Sequence, residues 1–434
     1  MNRKVEGMYS KYRIYNFYGK LVGKMEDWIP HLSRIKEMGF DWVYFNPISL
    51  PGKSKSDYSI ADYYAYNPLF VGDRTKEEGD ELFSLVCQKA NELGLKVMLD
   101  IVINHTAIDS FLADEHPNWY LHDYNGNLIS PSCMDGDKKI VWDDLAEIDN
   151  LGSSDKESLW NYWKDYILHM CKLGVRGFRC DAAYMVPFDL WKFLIIEARK
   201  VYPDTIFLGE TLGCSPLETQ QTAQAGFDLV MNGFKWWDFR ATWFPEQFNV
   251  ISKFAPSMAF PENHDTTRCA FEYNNDRNKV IMKYALCALI CTSVAITIGF
   301  EFGFQRKIDV YSTNPSWYEK PSFDISKEIK EINKIKDSYQ IFNEDNEFYT
   351  INFNTDAERN NLFGFTKISK DGSEKILVVA NISSDNVCFN LSMPYYVLGN
   401  HPLDISYINP KSSFGFHDIE TLLPGDVKIY YAKN

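Results

Sequence analysis

The sequence has no C-x-x-C pair, no long apolar run and no excess of positive charge. Its nine cysteines are odd in number and scattered, which favours a reduced protein without a disulfide framework or structural zinc site. The longest apolar stretch, around 285–300, contains Thr and Ser and is too short to span a bilayer comfortably. Residues 1–10 lack the apolar core of a secretory signal. We therefore expect a cytoplasmic protein with no membrane partner.

The balance of charge is acidic, with a formal net charge of -14. Nucleic acids and anionic membranes are polyanions, so this charge disfavours both as partners. Aromatic residues make up 15% of the chain, which indicates either a large core or a cleft whose rings stack on sugars. Composition alone leaves these two interpretations open.

Short β-branched or aromatic runs alternate with longer helical segments along the first three quarters of the chain. Alternation of this kind predicts a parallel sheet in an α/β protein, and eight runs favour a closed (β/α)8 barrel. A doubly wound open sheet is the alternative. The eight runs are 12–18, 42–47, 96–105, 177–181, 205–210, 227–232, 257–263 and 294–300.

Two segments depart from this rhythm. The stretch 106–155, after the third run, is too long and polar for a simple loop and predicts a small inserted subdomain. From about 345, alternating strands with turn signals predict a C-terminal all-β sandwich. The predicted domains are a catalytic barrel (1–105 plus 156–344), an inserted subdomain (106–155) and a C-terminal β-sandwich (345–434).

Ionisable and polar residues follow four of the predicted strands. Active sites of (β/α)8 barrels form at the C-terminal ends of the strands. A single Asp in this position is usually a helix N-cap, and a single His is usually a structural hydrogen-bonding residue. A helix N-cap accounts for a single carboxylate. It does not account for three carboxylates, two His and an Arg at the same end of one barrel. The residues are Asp100, Asn104, His105, Arg179, Asp181, Glu210, Asn263, His264 and Asp265.

The same segments carry a resemblance to a known family. Four of them resemble, in order and approximate spacing, the four short conserved regions of the α-amylase family, glycoside hydrolase family 13. Within it, the chain is similar to intracellular α-amylases or maltosyltransferase-like members. The four are D-I-V-I-N-H (100–105), G-F-R-C-D (177–181), F-L-G-E (207–210) and F-P-E-N-H-D (260–265). S-D-Y-S-I-A-D-Y-Y-A-Y-N-P-L-F (56–70) and V-W-D-D-L-A-E-I-D (141–149) resemble two further segments of that family.

The resemblance implies a role for each matching residue. Asp181 would be the nucleophile, Glu210 the general acid/base, and Asp265 the carboxylate that fixes sugar hydroxyls in the transition state. A second set of residues would contact the substrate, and a third set of residues would organise the site. The second set is Tyr58, His105, Arg179 and His264, and the third is Asp100 and Asn104.

The implied activity is a retaining glycoside hydrolase that cleaves α-1,4-glucosidic bonds in glucans or maltooligosaccharides through a covalent glycosyl-enzyme. Retaining cleavage needs an ionised nucleophile and a protonated acid. Asp181 beside Arg179 fits the first, and Glu210 at the end of an apolar strand fits the second. An α-glucan transferase with the same triad is the alternative. A silent scaffold or carbohydrate-binding protein is disfavoured because all three carboxylates are present.

Several positions differ from typical family members. Tyr184 and Met185 replace a Lys-His pair that contacts substrate and calcium in typical α-amylases, so we expect no cofactor and no metal; calcium is the disfavoured alternative. Asp57-Tyr58-Ser59 stands where many exo-acting α-glucosidases have Gly-Tyr-Asp, which disfavours capture of a terminal glucose. Glu262 is expected to be structural rather than a second acidic contact. Lys235, Trp236 and Trp237 would line the acceptor side or pack in the core.

Overall fold

A closed barrel of eight parallel strands forms the centre of the molecule, so the predicted (β/α)8 barrel is confirmed. The computed structural model describes residues 12–135, 138–399 and 401–433. The expectation that residues 1–10 carry no secretory signal lies outside them. The strands, in chain order, are β1 (Tyr12–Phe17), β2 (Trp42–Phe45), β3 (Lys96–Ile101), β4 (Val175–Cys180), β5 (Ile206–Gly209), β6 (Leu229–Met231), β7 (Ser257–Ala259) and β8 (Ser293–Thr297).

A helix follows each barrel strand on the outside of the barrel. Capping boxes start α2 at Thr75 and α5 at Ser215, where a hydroxyl and a glutamate satisfy the first backbone N–H groups. No helix in the described ranges is long and apolar enough to cross a membrane. The helices are α1 (Ile29–Glu37), α2 (Lys76–Glu92), α3 (Lys156–Leu173), α4 (Phe188–Val201), α5 (Pro216–Gln224), α6 (Trp243–Ile251), α7 (Arg277–Ile290) and α8 (Ser326–Ser338).

Barrel strands are buried on both faces, and their side chains alternate between two cores. On β4, Phe178 and Cys180 belong to the large core that contains the surrounding helices. Met98 and Leu208, on the neighbouring strands, belong to the smaller core inside the barrel. Arg179 lies between two outward-facing residues, so its side chain points inward, as the period of two predicts.

Long connections at the C-terminal ends of β2 and β3 build the walls above the barrel. After β2, an antiparallel hairpin of Ser49–Pro51 and Ile60–Tyr66 is followed by the short helix Pro68–Val71. After β3, the segment 106–155 contains two small antiparallel pairs and the helix Phe111–Glu115. The pairs are His105–Ala107 with Leu145–Glu147, and Ser132–Asp135 with Lys138–Val141.

Short helical segments complete the barrel region. The helix Cys269–Glu272 follows the loop after β7. The 3₁₀ turns are Gly19–Leu21, Met25–Trp28, Pro117–Trp119, Ala183–Met185, Phe234–Trp236, Phe300–Phe302, Pro315–Trp317 and Gln340–Asn343.

The C-terminal region is built on antiparallel sheet, which confirms the predicted β architecture. Glu374–Asn381 is the central strand of the larger sheet. Ile376 and Val378 on one of its faces belong to the same core as the barrel helices. Leu377 and Val379 on the other face belong to a second core that includes Phe389. Two short helices, Asp356–Asn361 and Ser392–Leu398, were not predicted. The sheets are Phe348–Thr350, Leu362–Ile368, Glu374–Asn381, Val427–Lys433 and Leu403–Asp404, and a pair of Val387–Asn390 with Ile419–Leu422. The exact domain boundaries stay predictions.

Candidate active site

The register of β3, β4 and β5 brings three acidic residues to one rim of the barrel. Arg179 pairs with Asp100 on β3, and Cys180 pairs with Gly209 on β5. Asp181 and Glu210 are the next residues after that last pair. Because parallel neighbours in register end at the same edge, the two carboxylates emerge side by side.

Arg179 is the cation at the centre of this rim, and it is 1% exposed. Its Nη1 atom lies 2.6 Å from Oδ1 of Asp181 and 2.9 Å from Oδ1 of Asp100. Its Nη2 atom lies 2.8 Å from Oε2 of Glu210. Oε2 of Glu210 also accepts a 2.8 Å hydrogen bond from the backbone N–H of Ala182. A guanidinium spreads its donors over a planar fork, whereas an ammonium is a compact point charge, so an arginine suits three carboxylates that come from different strands.

Burial and the charge of Arg179 act on the pKa of the Asp181 carboxyl in opposite directions. Burial raises the pKa of the Asp181 carboxyl well above its ordinary value, and Arg179 acts in the opposite direction. The negative charges of Glu210 and Asp100 raise that pKa further. Arg179 therefore offsets the burial of Asp181 only in part, because it is shared with two other carboxylates.

Tyr58 and His264 form a stacked pair beside the carboxylates. Their rings are parallel within 5° with centroids 5.2 Å apart, and the Tyr58 hydroxyl lies 2.6 Å from Nε2 of His264. The same hydroxyl donates a 2.7 Å hydrogen bond to Oδ2 of Asp100. Burial, followed by the charge of Arg179, lowers the pKa of His264 to about 4. Asp265 lies next to this pair, 3.2 Å from His264 Nε2, with a side chain that is 51% exposed.

The remaining predicted residues lie behind or beside this group. Asp100 is buried and also accepts a 2.5 Å hydrogen bond from the Tyr44 hydroxyl. Nε2 of His105 lies 3.2 Å from the Tyr58 carbonyl oxygen, and burial lowers the pKa of His105 to about 4. The Asn104 amide donates to the Met185 thioether at 3.8 Å. All of the predicted site residues therefore belong to one neighbourhood.

A cavity of about 260 Å³ opens in front of these side chains. Asp181, Glu210 and Asp265 line it together with residues of three long loops. The insertion after β3 and the segment after β8 supply residues whose roles were not recognised from the sequence, although Trp142 and Asp144 lie in one of the quoted motifs. The additional lining residues are Ser56, Pro131, Trp142, Asp144, Leu145, Ala182, Tyr184, Val310 and Tyr311.

Two other sequence-based expectations can be compared with the structure. Lys235 and Trp237 are buried, and Lys235 pairs with Glu272 at 2.6 Å. Neither they nor the exposed Trp236 lines the cavity, which favours the core interpretation for Lys235 and Trp237. Glu262 and Arg268 form a buried ion pair of 2.9 Å, so Glu262 is a structural residue of the loop that carries His264 and Asp265.

The residues around Asn104 do not fit a calcium ion. Calcium takes about six to eight oxygen ligands, but the Asn104 amide faces the sulfur of Met185. Within 12–135, 138–399 and 401–433, no group of three or more His, Cys, Asp or Glu side chains is arranged to hold a metal. We therefore assign no catalytic step to a metal.

Comparison with known proteins extends these observations. The family described as "Glycogen debranching enzyme, glucanotransferase domain" matches residues 9–132. The alpha-1,4-glucan:maltose-1-phosphate maltosyltransferase of Picrophilus torridus is 24% identical over 403 residues, which are 86% of this chain and 61% of the relative. The enzyme of the same name from Burkholderia pseudomallei is 25% identical over 328 residues, covering 73% of this chain and 28% of the relative. The chain thus spans less than two thirds of these relatives.

Solved structures share the whole architecture. An alpha-amylase from Lactobacillus plantarum superposes with a TM-score of 0.78 at 23% identity, over 98% of this chain and 99% of that one. An alpha-amylase from Geobacillus thermoleovorans complexed with acarbose gives a TM-score of 0.76 at 16% identity, with 98% and 99% coverage. At these identities the likeness shows the fold. Together with the ordered motifs and the sequence relatives, it means that the chain belongs to the α-amylase family, glycoside hydrolase family 13, of glycoside hydrolases and transglycosylases.

Proposed function

We propose that this protein is a retaining α-glucan transferase that passes a glycosyl unit through a covalent intermediate on Asp181. The observation that carries the proposal is that Asp181 and Glu210 bind the same guanidinium and line the same cavity. Retaining chemistry needs two carboxyl groups about 5 Å apart, one as nucleophile and one as acid/base. Two carboxylates that share one Arg179 side chain are close enough neighbours for this division of roles.

In the first half of the reaction, a carboxylate oxygen of Asp181 attacks the anomeric carbon of the donor. The bond from that carbon to the glycosidic oxygen breaks, and Glu210 gives its proton to the departing oxygen. Arg179 holds Oδ1 of Asp181, so we assign the attack to Oδ2. Arg179 and the Ala182 N–H hold Oε2 of Glu210, which leaves Oε1 to carry the proton.

In the second half, an acceptor hydroxyl gives its proton to Glu210 and its oxygen attacks the same anomeric carbon. The bond to Asp181 breaks, and the carboxylate returns to its starting state. Asp265, with its half-exposed carboxylate at the cavity, would accept hydrogen bonds from sugar hydroxyls that strengthen in the transition state.

The cavity wall supports a sugar rather than water as the acceptor. Trp142, Tyr184 and Tyr311 line it, and flat rings present apolar surface on which a pyranose can stack. An acceptor sugar bound there displaces water from the intermediate. The sequence relatives are named as maltosyltransferases, and the matching family model as a glucanotransferase domain.

The charges around the cavity favour a neutral glucan or maltooligosaccharide as donor. Its lining contains four carboxylates, Asp144, Asp181, Glu210 and Asp265, and no Lys or Arg among the described residues. A phosphorylated leaving group would meet like charges there without a basic partner. The relatives' name includes maltose 1-phosphate, so that donor is the comparison to run beside a neutral glucan.

Hydrolysis is the second candidate, because it uses the same intermediate and differs only in the acceptor. The solved structures that share the architecture include proteins named alpha-amylases. For hydrolysis, water would have to reach the glycosyl-enzyme intermediate on Asp181 while no acceptor sugar is bound against Trp142, Tyr184 and Tyr311.

Incubation with maltoheptaose distinguishes the candidates. Transfer produces oligosaccharides both longer and shorter than seven units without a net gain of reducing ends, whereas hydrolysis produces only shorter chains and new reducing ends. A parallel reaction with maltose 1-phosphate and an acceptor measures phosphate release. Asp181→Asn is the inactive control. An unchanged maltoheptaose sample, with phosphate released from maltose 1-phosphate, would mean that the neutral-donor proposal is wrong.

A further inference from the structure

A buried lysine outside the predicted site ties together two loops that line the cavity. Lys20, in the 3₁₀ turn after β1, is 4% exposed. Its Nζ atom donates to the carbonyl oxygens of Lys55 at 2.7 Å and Val310 at 2.6 Å. It also lies 3.0 Å from Oδ1 of Asp57. The ammonium therefore meets three oxygens from two chain segments.

Those two segments are far apart in sequence but adjacent at the cavity. Lys55 and Asp57 precede Tyr58 in the connection after β2, and Val310 precedes Tyr311 in the segment after β8. The backbone N–H of Asp57 also donates to the Val310 oxygen at 3.3 Å. Tyr58, Val310 and Tyr311 all line the cavity, so the lysine sits behind its wall.

The contacts of Asp57 connect this junction to the candidate active site. Its Oδ2 accepts a 2.6 Å hydrogen bond from the Tyr18 hydroxyl. The Tyr18 ring lies nearly parallel to His264, with centroids 6.3 Å apart. Asp57 stands where the related Gly-Tyr-Asp segment has glycine, so the Lys20–Asp57 pair is a feature of this chain rather than of that motif.

The two sides of the junction depend on Lys20 to different degrees. Tyr58 is fixed independently, because its hydroxyl bonds to Asp100 and His264. The Val310–Tyr311 segment is held locally by Asp309, whose carboxylate accepts from the Tyr311 N–H at 3.0 Å. The Val310 oxygen connects this segment to the Tyr58 loop, because it accepts from the Asp57 N–H and from Lys20. Loss of the lysine would therefore free Tyr311 more than Tyr58.

We propose that Lys20 is a positioning residue that holds the Val310–Tyr311 wall against the Tyr58 loop and thereby sets how well the cavity binds an acceptor sugar. This inference rests on the proposed transferase function. A fixed wall presents Tyr311 to the acceptor and limits the entry of water, so the lysine would act on the choice between transfer and hydrolysis. It does not touch the reacting atoms.

Lys20→Met tests this role, and Lys24→Met is the matched control because Lys24 is exposed four residues further on. We expect Lys20→Met to raise the KM for the acceptor about tenfold and to lower the ratio of transfer to hydrolysis about tenfold. The kcat for donor cleavage should fall much less, because Arg179 and Tyr58 keep their own contacts. Lys24→Met should match the wild-type protein in all three values.

A second variant keeps the test decisive if Lys20→Met does not fold. Asp57→Asn retains the shape of the side chain but removes the ionic partner of Lys20, and we expect about a threefold change in the same two quantities. Unchanged acceptor KM and product ratio in a folded Lys20→Met protein would overturn the inference. If only Asp57→Asn folds, unchanged values there would overturn it equally.

Calorimetry separates failure of this inference from failure of the proposed function. Maltoheptaose is titrated into Glu210→Gln protein with and without Lys20→Met. If Glu210→Gln binds no maltoheptaose, the α-glucan proposal fails, and the inference that rests on it fails too. If it binds and the double variant binds equally well, with an unchanged product ratio in the Lys20→Met single variant, the inference alone fails.

Discussion

Nη1 of Arg179 lies 2.6 Å from Oδ1 of Asp181, and the same nitrogen lies 2.9 Å from Oδ1 of Asp100. One guanidinium thus balances the carboxylate proposed to react and a second carboxylate that is buried behind it. Its other terminal nitrogen binds Glu210 at 2.8 Å. Arg179 lowers the pKa of Asp181 against the effect of burial, so changing this side chain should alter the ionisation of Asp181.

Replacement of Arg179 by Lys should lower kcat by about 100-fold or more, because a compact ammonium lacks the planar fork of donors with which Arg179 reaches the three carboxylates. The pKa of Asp181 is raised by burial and lowered by Arg179, so weaker pairing should raise it further. Asp181 must be ionised to attack, and the acid limb of the kcat profile should therefore move to higher pH. Kinetics from pH 4 to 9 test this.

Arg176→Met is the control for this change, because Arg176 lies on the same strand and bonds to the carbonyl oxygens of Cys171 and Val175. That variant should keep the wild-type acid limb. An Arg179→Lys enzyme with a normal pH profile would show that Arg179 does not influence the ionisation of Asp181.

Asp181→Asn and Glu210→Gln should each abolish turnover of maltoheptaose, by about 1,000-fold or more, while the proteins stay folded. α-Maltosyl fluoride separates their roles because fluoride leaves without a proton from an acid. Glu210→Gln should still form the glycosyl-enzyme but should be slow to release it, whereas Asp181→Asn should form none. Intact-mass spectrometry measures the adduct, and peptide mapping should place it on Asp181.

Near-full activity in either purified variant would contradict the assignment, as would an adduct on a residue other than Asp181. Circular dichroism melting of both variants provides the control for folding. Both substitutions preserve the size of the side chain and introduce no new charge at the rim. We therefore expect neither to unfold the protein.

The barrel and the rim of carboxylates were predictable because both depend on local patterns. Alternation of strands and helices indicated the barrel, and a period of two placed Arg179 and Asp181 on one face of β4. Contacts that depend on distant segments were not predictable. The Lys20 amino group, for example, bonds to the carbonyl oxygen of Val310 across 290 positions, and no spacing along the chain indicates that pair.

The aromatic wall shows the same limit. Trp142 and Tyr311 come from irregular loops without periodicity, and only the closed fold brings both of them to the cavity. Trp237 comes soon after a barrel strand, so its place in the sequence suits a cavity wall as well as that of Trp142 or Tyr311. It packs instead against Phe244 and Phe248 in the core. An aromatic residue near a strand end is therefore ambiguous until its packing partners are known.

His264→Gln should lower kcat/KM by about 10- to 100-fold without moving the acid limb of the pH profile. Burial lowers the pKa of His264 to about 4, so the imidazole is neutral over nearly all of the pH range of the kinetics. Gln keeps a hydrogen-bond donor near Tyr58 and Asp265 but loses the stacked ring. A displaced acid limb in this variant would indicate that protonation of His264 controls activity.

Asp57→Asn should change how stability depends on pH. Burial raises the pKa of Asp57 to about 6, although Lys20 acts against it, whereas an Asp in an unfolded chain has a pKa of about 3.9. Between these values the folded protein holds a proton that the unfolded chain has released. The contribution of Asp57 to the free energy of unfolding should therefore fall by about 3 kcal/mol as pH rises from 4 to 6.

Denaturant unfolding of the wild-type protein and Asp57→Asn at several pH values isolates this contribution, because the other carboxyl groups titrate in both proteins. The stability of the wild-type protein relative to the variant should decline through the interval from pH 4 to 6 and level off above it. Asp73→Asn is the control for the same chemical change at an exposed position. A constant difference for Asp57→Asn would mean that the buried Lys20–Asp57 pair remains ionised throughout, with Lys20 compensating fully for the burial of its partner.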